Sequence, residues 1–352
     1  MGIKLKDLRV KFLDLSVYMM ASLLPMVLSV IANPIIAKNM SPTDYAIVGY
    51  YSAFNSFITP LINFYLIHYY TKKYFELSKN ERIELKSVIV QGLVYFSFLM
   101  AIFVLVGLYF YMIFFNANSD IPFSPYAIIS VMSIPIAGIY TLNLVDYRMQ
   151  RKSKNFFNLS VSYGIFALFL NILLVVVLKY GATGKLMSVL IANLVVFFFG
   201  IYSNKHSFSI KFNTKIFIEA LKFCYPLILA AMLSFFSNGY DRVALERNGN
   251  IEELGYYVVG FQIAGYLHIF STSIDNTFQA DIFQSIAERK FKKCFFIILG
   301  KTVIVSFIVM FFILMAPFLV NILTAGRYVA STNYAIIISL STISSVIYHS
   351  IS

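Results

Sequence analysis

The sequence predicts an all-α, polytopic membrane protein, and three observations carry that prediction. Of 352 residues, 59% are hydrophobic and only 12% are charged, against about 25% charged in soluble domains. Apolar runs recur along the chain, each about 18 residues or longer and so long enough to cross a hydrocarbon core. Short basic clusters separate these runs at alternate connections, as the positive-inside rule requires. A membrane β-barrel would instead show alternating segments of about ten residues, and the sequence contains none of these.

The formal charge of +12 does not point to a nucleic-acid partner, because topology alone explains basic clusters confined to short loops. The two cysteines, Cys224 and Cys294, fall at expected cytoplasmic helix ends, where a structural disulfide is not expected. The opening MGIKLKDLRVKFLDLSVYMMASLLPMVLSV has the basic head and apolar body of a signal peptide. Its apolar part continues to about Ile36 without a small-residue cleavage site, so it reads as a retained first helix.

Ten helical segments are expected, at 15–37, 45–70, 87–115, 125–147, 156–178, 186–203, 222–245, 255–282, 294–323 and 331–352. Lys4, Lys6, Arg9 and Lys11 precede the first, and Lys72, Lys73, Lys79, Arg82 and Lys86 follow the second. Arg148, Arg151, Lys152 and Lys154 follow the fourth; Lys205, Lys211, Lys215 and Lys222 follow the sixth; Arg289, Lys290, Lys292 and Lys293 follow the eighth. The opposite connections NMSPTD and NANSDIPFS carry no Lys or Arg. This alternation places the N-terminus in the cytoplasm. Lys215, Glu219 and Lys222 share one face of a helical lead-in to the seventh segment, leaving Ile216, Phe217 and Leu221 to the lipid interface.

The stretch 237–260, SNGYDRVALERNGNIEELGYYVVG, draws charge to the edge of an apolar run and reads as the outer turn between the seventh and eighth segments. It also carries a faint repeat. DYAIVGY opens the second segment and LGYYVVGF the eighth, with Tyr45 and Tyr256, like Gly49 and Gly260, in matching places. Both copies begin on the outer side, so two halves of like topology are expected about an axis along the membrane normal. The halves are 1–205, with six helices, and 206–352, with four, apparently two fewer than its counterpart.

NPIIAKNMSPTDYAIVGYYSAF, the basic loop after it, the proline-bearing seventh segment, NGYDR, ELGYYVVG and DNTFQADIFQSI resemble the polysaccharide-transporter branch of the multidrug/oligosaccharidyl-lipid/polysaccharide (MOP) exporter superfamily, close to Wzx-type O-antigen flippases. The resemblance implies a MATE-like, two-lobed helical bundle in the bacterial inner membrane. It implies translocation of an undecaprenyl-pyrophosphate-linked oligosaccharide, such as an O-antigen repeat unit, from the cytoplasmic to the periplasmic leaflet by alternating access. A drug exporter or a lipid-linked peptidoglycan precursor exporter of the same superfamily is the nearest alternative. A membrane glycan polymerase or acyltransferase, or a non-transporting scaffold, is the alternative from another class. Expected partners are the lipid-linked oligosaccharide, membrane lipids, a proton or sodium ion, and polysaccharide polymerase and chain-length proteins, with no nucleic acid.

Polar groups at membrane depth cost about 2.5–3.5 kcal/mol each when charged, which makes them functional candidates. Arg242, whose planar fork suits a phosphate, Lys301, Asn33 and Asn238 are the candidate substrate-binding residues; a structural pair or interfacial anchor is the other reading of Arg242. Asp241, Asp275 and His268 are the candidate ion-coupling residues. Asp275 and Lys301 are also placed to form a buried pair, and His268 to serve as an interhelical hydrogen-bond donor. Asn143, Asn171, Asn193 and Asn276 read as interhelical glue. The four histidines are scattered, with no metal-spaced cluster and no His–acid motif, so no catalytic residue, metal or cofactor is expected.

Overall fold

The computed structural model describes the backbone of residues 5–116, 119–248, 250–287 and 289–351. Some side chains within the helices, those of Asn238, His268, Asp275 and Asn276 among them, lie outside the described residues. All regular structure in the described residues is helical. Six of the described helices are long and apolar enough to cross a membrane. The chain is a multi-pass helical membrane protein.

The chain divides into two compact units, one of Met1–Ala32 with Ile47–Asn250, the other of Asn33–Ala46 with Ile251–Ser352. These units do not coincide with 1–205 and 206–352, because residues 206–250 belong to the first unit and residues 33–46 to the second.

In the first unit, most of α1 (Leu5–Asn39) is followed by most of α2 (Pro42–Asn63) and the short α3 (Leu66–Lys73). Phe64 and Tyr65 stand at φ 49° and 50°, a left-handed step that ends α2 and restarts the helix two residues on. The single segment expected at 45–70 is therefore two helices. Ser78 and Glu81 form a capping box at the start of α4 (Lys79–Gln91), reciprocally satisfying backbone donors that the helix itself leaves free. A π-turn at Gly92–Phe96 leads into α5 (Ser97–Phe115). Next come α6 (Tyr126–Met149), α7 (Ser153–Asn171) with a π-turn at Ile172–Val177, and α8 (Gly181–Ser203).

The connection from α8 is pinned to α4, where the Ser87 hydroxyl and the Gln91 amide both donate to the Ser207 carbonyl. Asn213 then caps α9 (Thr214–Asn238), accepting from the Lys215 and Ile216 amides at 3.0 and 3.4 Å. Ile216, Phe217 and Leu221 pack against a buried cluster containing Leu66, Leu93 and Ile139 rather than lying in the lipid interface. Burial against protein took these side chains because α3 and α4 already offer them an apolar surface. Gly239 separates α9 from the short α10 (Tyr240–Asn248), so the expected seventh segment breaks near its outer end.

The second unit packs α11 (Ile251–Ala287), α12 (Phe291–Leu323) and α13 (Ser331–Ile351) against one another. The junction between α1 and α2 completes it. Ser41 caps α2: Asp44 N–H donates to Ser41 Oγ at 3.1 Å, while Ser41 N–H and Oγ donate to Asp44 Oδ2 at 2.8 and 2.7 Å. Pro42 stands at the first helical position, where its missing N–H costs nothing. Tyr45 and Tyr256, the matching tyrosines of the repeat, both set their rings edge-on against Tyr328, at 5.2 and 5.9 Å. The Tyr328 hydroxyl donates to the Met40 carbonyl at 2.7 Å, and burial pushes its pKa above the ordinary tyrosine value.

Candidate functional site

The candidate site follows one face of α2. Ser52, Asn55, Ser56, Thr59 and Asn63 recur at spacings of three and four, so they form a polar stripe on an otherwise apolar helix. Pro60 has no N–H to donate to the Ser56 carbonyl, and the left-handed step at Phe64 and Tyr65 leaves the last carbonyls of α2 without helical partners. Broken helix of this kind is tolerated at membrane depth where it lines a polar cavity.

A cavity of about 540 Å³ lies here, walled by these five residues with Tyr65, His68 and Thr141 and by the apolar Pro60, Leu66 and Ile67. Asn55 is tied to Ser130 of α6 by a reciprocal pair of bonds, Asn55 Nδ2 to Ser130 Oγ at 2.9 Å and Ser130 Oγ to Asn55 Oδ1 at 3.1 Å. Asn63 Oδ1 is buried beside Gly138 of α6 and accepts no hydrogen bond from the described residues.

A second cavity of about 460 Å³ continues from the first, sharing Ile67 and His68 and adding Thr71, Lys72 and Arg148. The His68 ring packs edge-on against Tyr65, with centroids 4.5 Å apart. Lys72 sets its ammonium 4.4 Å from the Phe223 ring centroid, a cation–π contact that holds the charge at the cavity wall. From Ser52 to Lys72 the track follows at most about 30 Å of helix, comparable to a hydrocarbon core.

One buried ion pair braces the inner end. Asp146, only 3% exposed, accepts from Lys86 Nζ at 2.6 Å, the Tyr70 hydroxyl at 2.7 Å and the Gln150 amide at 2.9 Å. The carboxylate thereby joins α3, α4 and α6, and its three donors offset the cost of burying a charge. Outside the membrane, the exposed Glu76 carboxyl is held below its ordinary pKa by Lys73, 2.6 Å away.

At the other end of the stripe stands Arg242 on α10, 6% exposed, with Nη1 donating to Ser52 Oγ at 3.4 Å. Its neighbour Asp241 is half-buried. Asn33 and Lys301 belong instead to the second unit. Asn33 is a satisfied bridge there, donating to the Leu323 carbonyl at 2.9 Å and accepting from the Gln262 amide at 3.1 Å. Lys301, 2% exposed, lies on the buried face of α12 with Val305 and Val309. Asn143 and Asn193 act as expected between helices, accepting from the Asn204 amide and the Tyr163 hydroxyl, each at 2.8 Å.

Sequence reasoning missed Ser52, Asn55, Thr59, Asn63 and Asp146, and noted His68 only as one scattered histidine. The signal for the first four was the 3,4-spaced polar set within SAFNSFITPLIN, hidden because none of them is charged.

Broken helix of this kind, lining a cavity within a bundle of apolar helices, is found in multi-pass membrane proteins. The fold of this chain matches an inward-facing structure of a multidrug resistance MATE family transporter of the MOP superfamily. The TM-score is 0.58 over 95% of this chain and 84% of that one, at 14% identity. The sequence profile of a family described as "Polysaccharide biosynthesis protein" matches residues 35–333, and the chain belongs to that family. Comparison with curated proteins found no match.

Proposed function

We propose that the chain is a transporter that moves an undecaprenyl-pyrophosphate-linked oligosaccharide from the cytoplasmic to the outer leaflet of a bacterial inner membrane by alternating access. The observation that carries this reading is the polar track along α2 and α3. A sugar–pyrophosphate head cannot enter hydrocarbon, and hydroxyl and amide groups of the kind presented by Ser52, Asn55, Thr59 and Asn63 suit sugars. His68, Lys72 and Arg148 at one end and Arg242 at the other suit the pyrophosphate, Arg by its planar donor fork. The alternating basic loops support an inside N-terminus, which makes the His68 end the loading side. Membership of a polysaccharide biosynthesis family supports a glycan cargo, and the fold shared with a MATE transporter supports transport.

In this reading the lobes are 1–205 and 206–352, Asn238 and Lys301 are the candidate substrate-binding residues of the second lobe, and Asp241, Asp275 or His268 takes a proton or sodium ion. Outward movement of an anionic head is already favoured by about 2.3 kcal/mol per charge per 100 mV of inside-negative potential, so the electrical term does not require ion coupling. Polysaccharide polymerase and chain-length proteins are the partners that would consume the product.

The test is to replace Arg242 with Ala, and separately Asn55 and Asn63 with Leu, in the cell that makes the polysaccharide. Loss of surface polysaccharide, with lipid-linked oligosaccharide retained on the cytoplasmic leaflet and the variant still in the membrane, is expected. Unchanged surface polysaccharide on deleting the gene would refute the cargo. Normal export by the Arg242 variant would remove that residue from the path.

A further inference from the structure

The face of α2 roughly 160° around from its polar stripe carries Phe54, Phe57, Ile58 and Leu61, and these form one wall of a second kind of cavity in the first unit. It is a groove of about 480 Å³ whose other walls are Val104 to Tyr111 of α5, Phe235 and Phe236 of α9, and Tyr240 and Val243 of α10. Its floor opens at Gly107, where an added Cβ would meet nothing within 4 Å. Its lining is aromatic and aliphatic except at one end, where Arg247 stands.

Arg247 is exposed and is held by Nη2, which donates to the Tyr111 hydroxyl at 2.9 Å and the Phe115 carbonyl at 3.4 Å. Among the described residues its Nη1 and Nε make no hydrogen bond. The neighbouring Glu246 is turned aside, accepting from the Asn116 amide at 3.0 Å and the Ser119 hydroxyl. No acidic residue lines the groove. Its open end is therefore cationic, and it lies at the end of α5 away from the basic loops.

We infer that this groove is a binding site for one hydrocarbon chain of a phosphate-headed membrane lipid, with the phosphate at Arg247. A chain already in the bilayer gains nothing from leaving water, since lipid tails are as apolar as the groove. Selection rests on two other features: rigid aromatic walls that hold a chain in one path, and a guanidinium that accepts a phosphate at its free edge. The site lies on the opposite face of α2 from the polar track and stands or falls independently of the cargo proposed above.

The experiment uses the full chain in nanodiscs of phosphatidylcholine, doped with phosphatidylglycerol carrying a photoreactive group on its acyl chain. Labelling is expected at groove residues of α2, α5 and α9, and unlabelled phosphatidylglycerol is expected to compete saturably. Gly107→Phe plugs the floor and is expected to reduce labelling there at least fivefold, with Gly107→Ala unchanged. Arg247→Gln is expected to keep chain insertion while removing a preference of about fivefold for phosphatidylglycerol over phosphatidylcholine, the worth of one basic residue near a membrane surface. Labelling spread evenly over the lipid-facing helices, without saturable competition, would overturn the site and leave ordinary annular lipid. Protein–protein crosslinks through the groove would overturn it in favour of a second copy. Saturable competition in the unmutated chain decides the matter even if Gly107→Phe fails to fold.

Discussion

Gly255→Ala, in the first turn of α11, is expected to destabilise the protein although alanine is the better helix former. At this position an added Cβ would sit 2.0 Å from the Pro42 carbonyl oxygen and 2.5 Å from its carbon. Even the tightest ordinary Cβ contacts begin near 3.0 Å, so the two helix N-termini must part by about 1 Å, and the obstacle is backbone, which has no rotamer to yield. Overpacking of this kind costs about 1–3 kcal/mol, against about 1 kcal/mol gained in helix propensity. The same helix supplies the control, because a Cβ at Gly265 meets nothing within 4 Å. Gly265→Ala keeps the propensity term without the clash and is expected to be neutral or slightly stabilising. The two variants share the propensity gain and should differ by the overpacking term, about 1–3 kcal/mol, or roughly 1–4 °C in the melting of a chain this size. Fluorescence-detected size exclusion after heating, in one detergent, measures the gap. Equal melting temperatures would refute the close approach of the α2 and α11 N-termini.

Four further outcomes are expected. Lys86→Met and Asp146→Asn should each destabilise by about 3–5 kcal/mol, and the double variant by less than their sum, because each single change strands a buried charge or donor; strict additivity in a thermal-stability cycle would sink the pair. Asn33→Ala should cost about 1–3 kcal/mol by leaving the Leu323 carbonyl without its side-chain donor and the Gln262 amide with the Tyr266 hydroxyl at 3.5 Å, read as lost thermal stability with normal export per folded molecule. Arg242→Lys should keep normal membrane levels and restore only part of the export lost in Arg242→Ala, since an ammonium replaces the charge and not the fork. Finally, the Lys73–Glu76 pair lowers the Glu76 pKa, so its contribution is present at neutral pH and is lost as acid titrates Glu76 in the folded protein. Lys73→Gln should move the Glu76 carboxyl titration upward by NMR, and an unmoved titration would show that the pair does not form.

Family and fold class were legible in the chain because both rest on patterns that need no tertiary contact. Bilayer thickness sets the length of the apolar runs, and the cost of moving Lys and Arg across the membrane sets their loops. Tyr45 and Tyr256 could be matched in the sequence, but only the folded second unit brings both rings onto Tyr328. Helix breaks were largely hidden. Nothing in FYLI announces the left-handed step at Phe64 and Tyr65, which is a response to what surrounds it and not a local preference.

The candidate site shows the same division. Charge is conspicuous in a greasy sequence, so Arg242, Lys301 and Asp241 drew notice, whereas Asp146, near a helix end, did not. The stripe of Ser52, Asn55, Thr59 and Asn63 was written in the order of residues, at helical spacing. Which side of α2 would face a cavity, and that its opposite side would line an apolar groove, depended on where α5, α6, α9 and α10 came to pack. By itself the sequence determined how much of the chain must lie in hydrocarbon, since transfer free energy adds residue by residue. Tertiary structure alone decided which polar groups share a cavity, because that depends on the packing of helices distant in the chain.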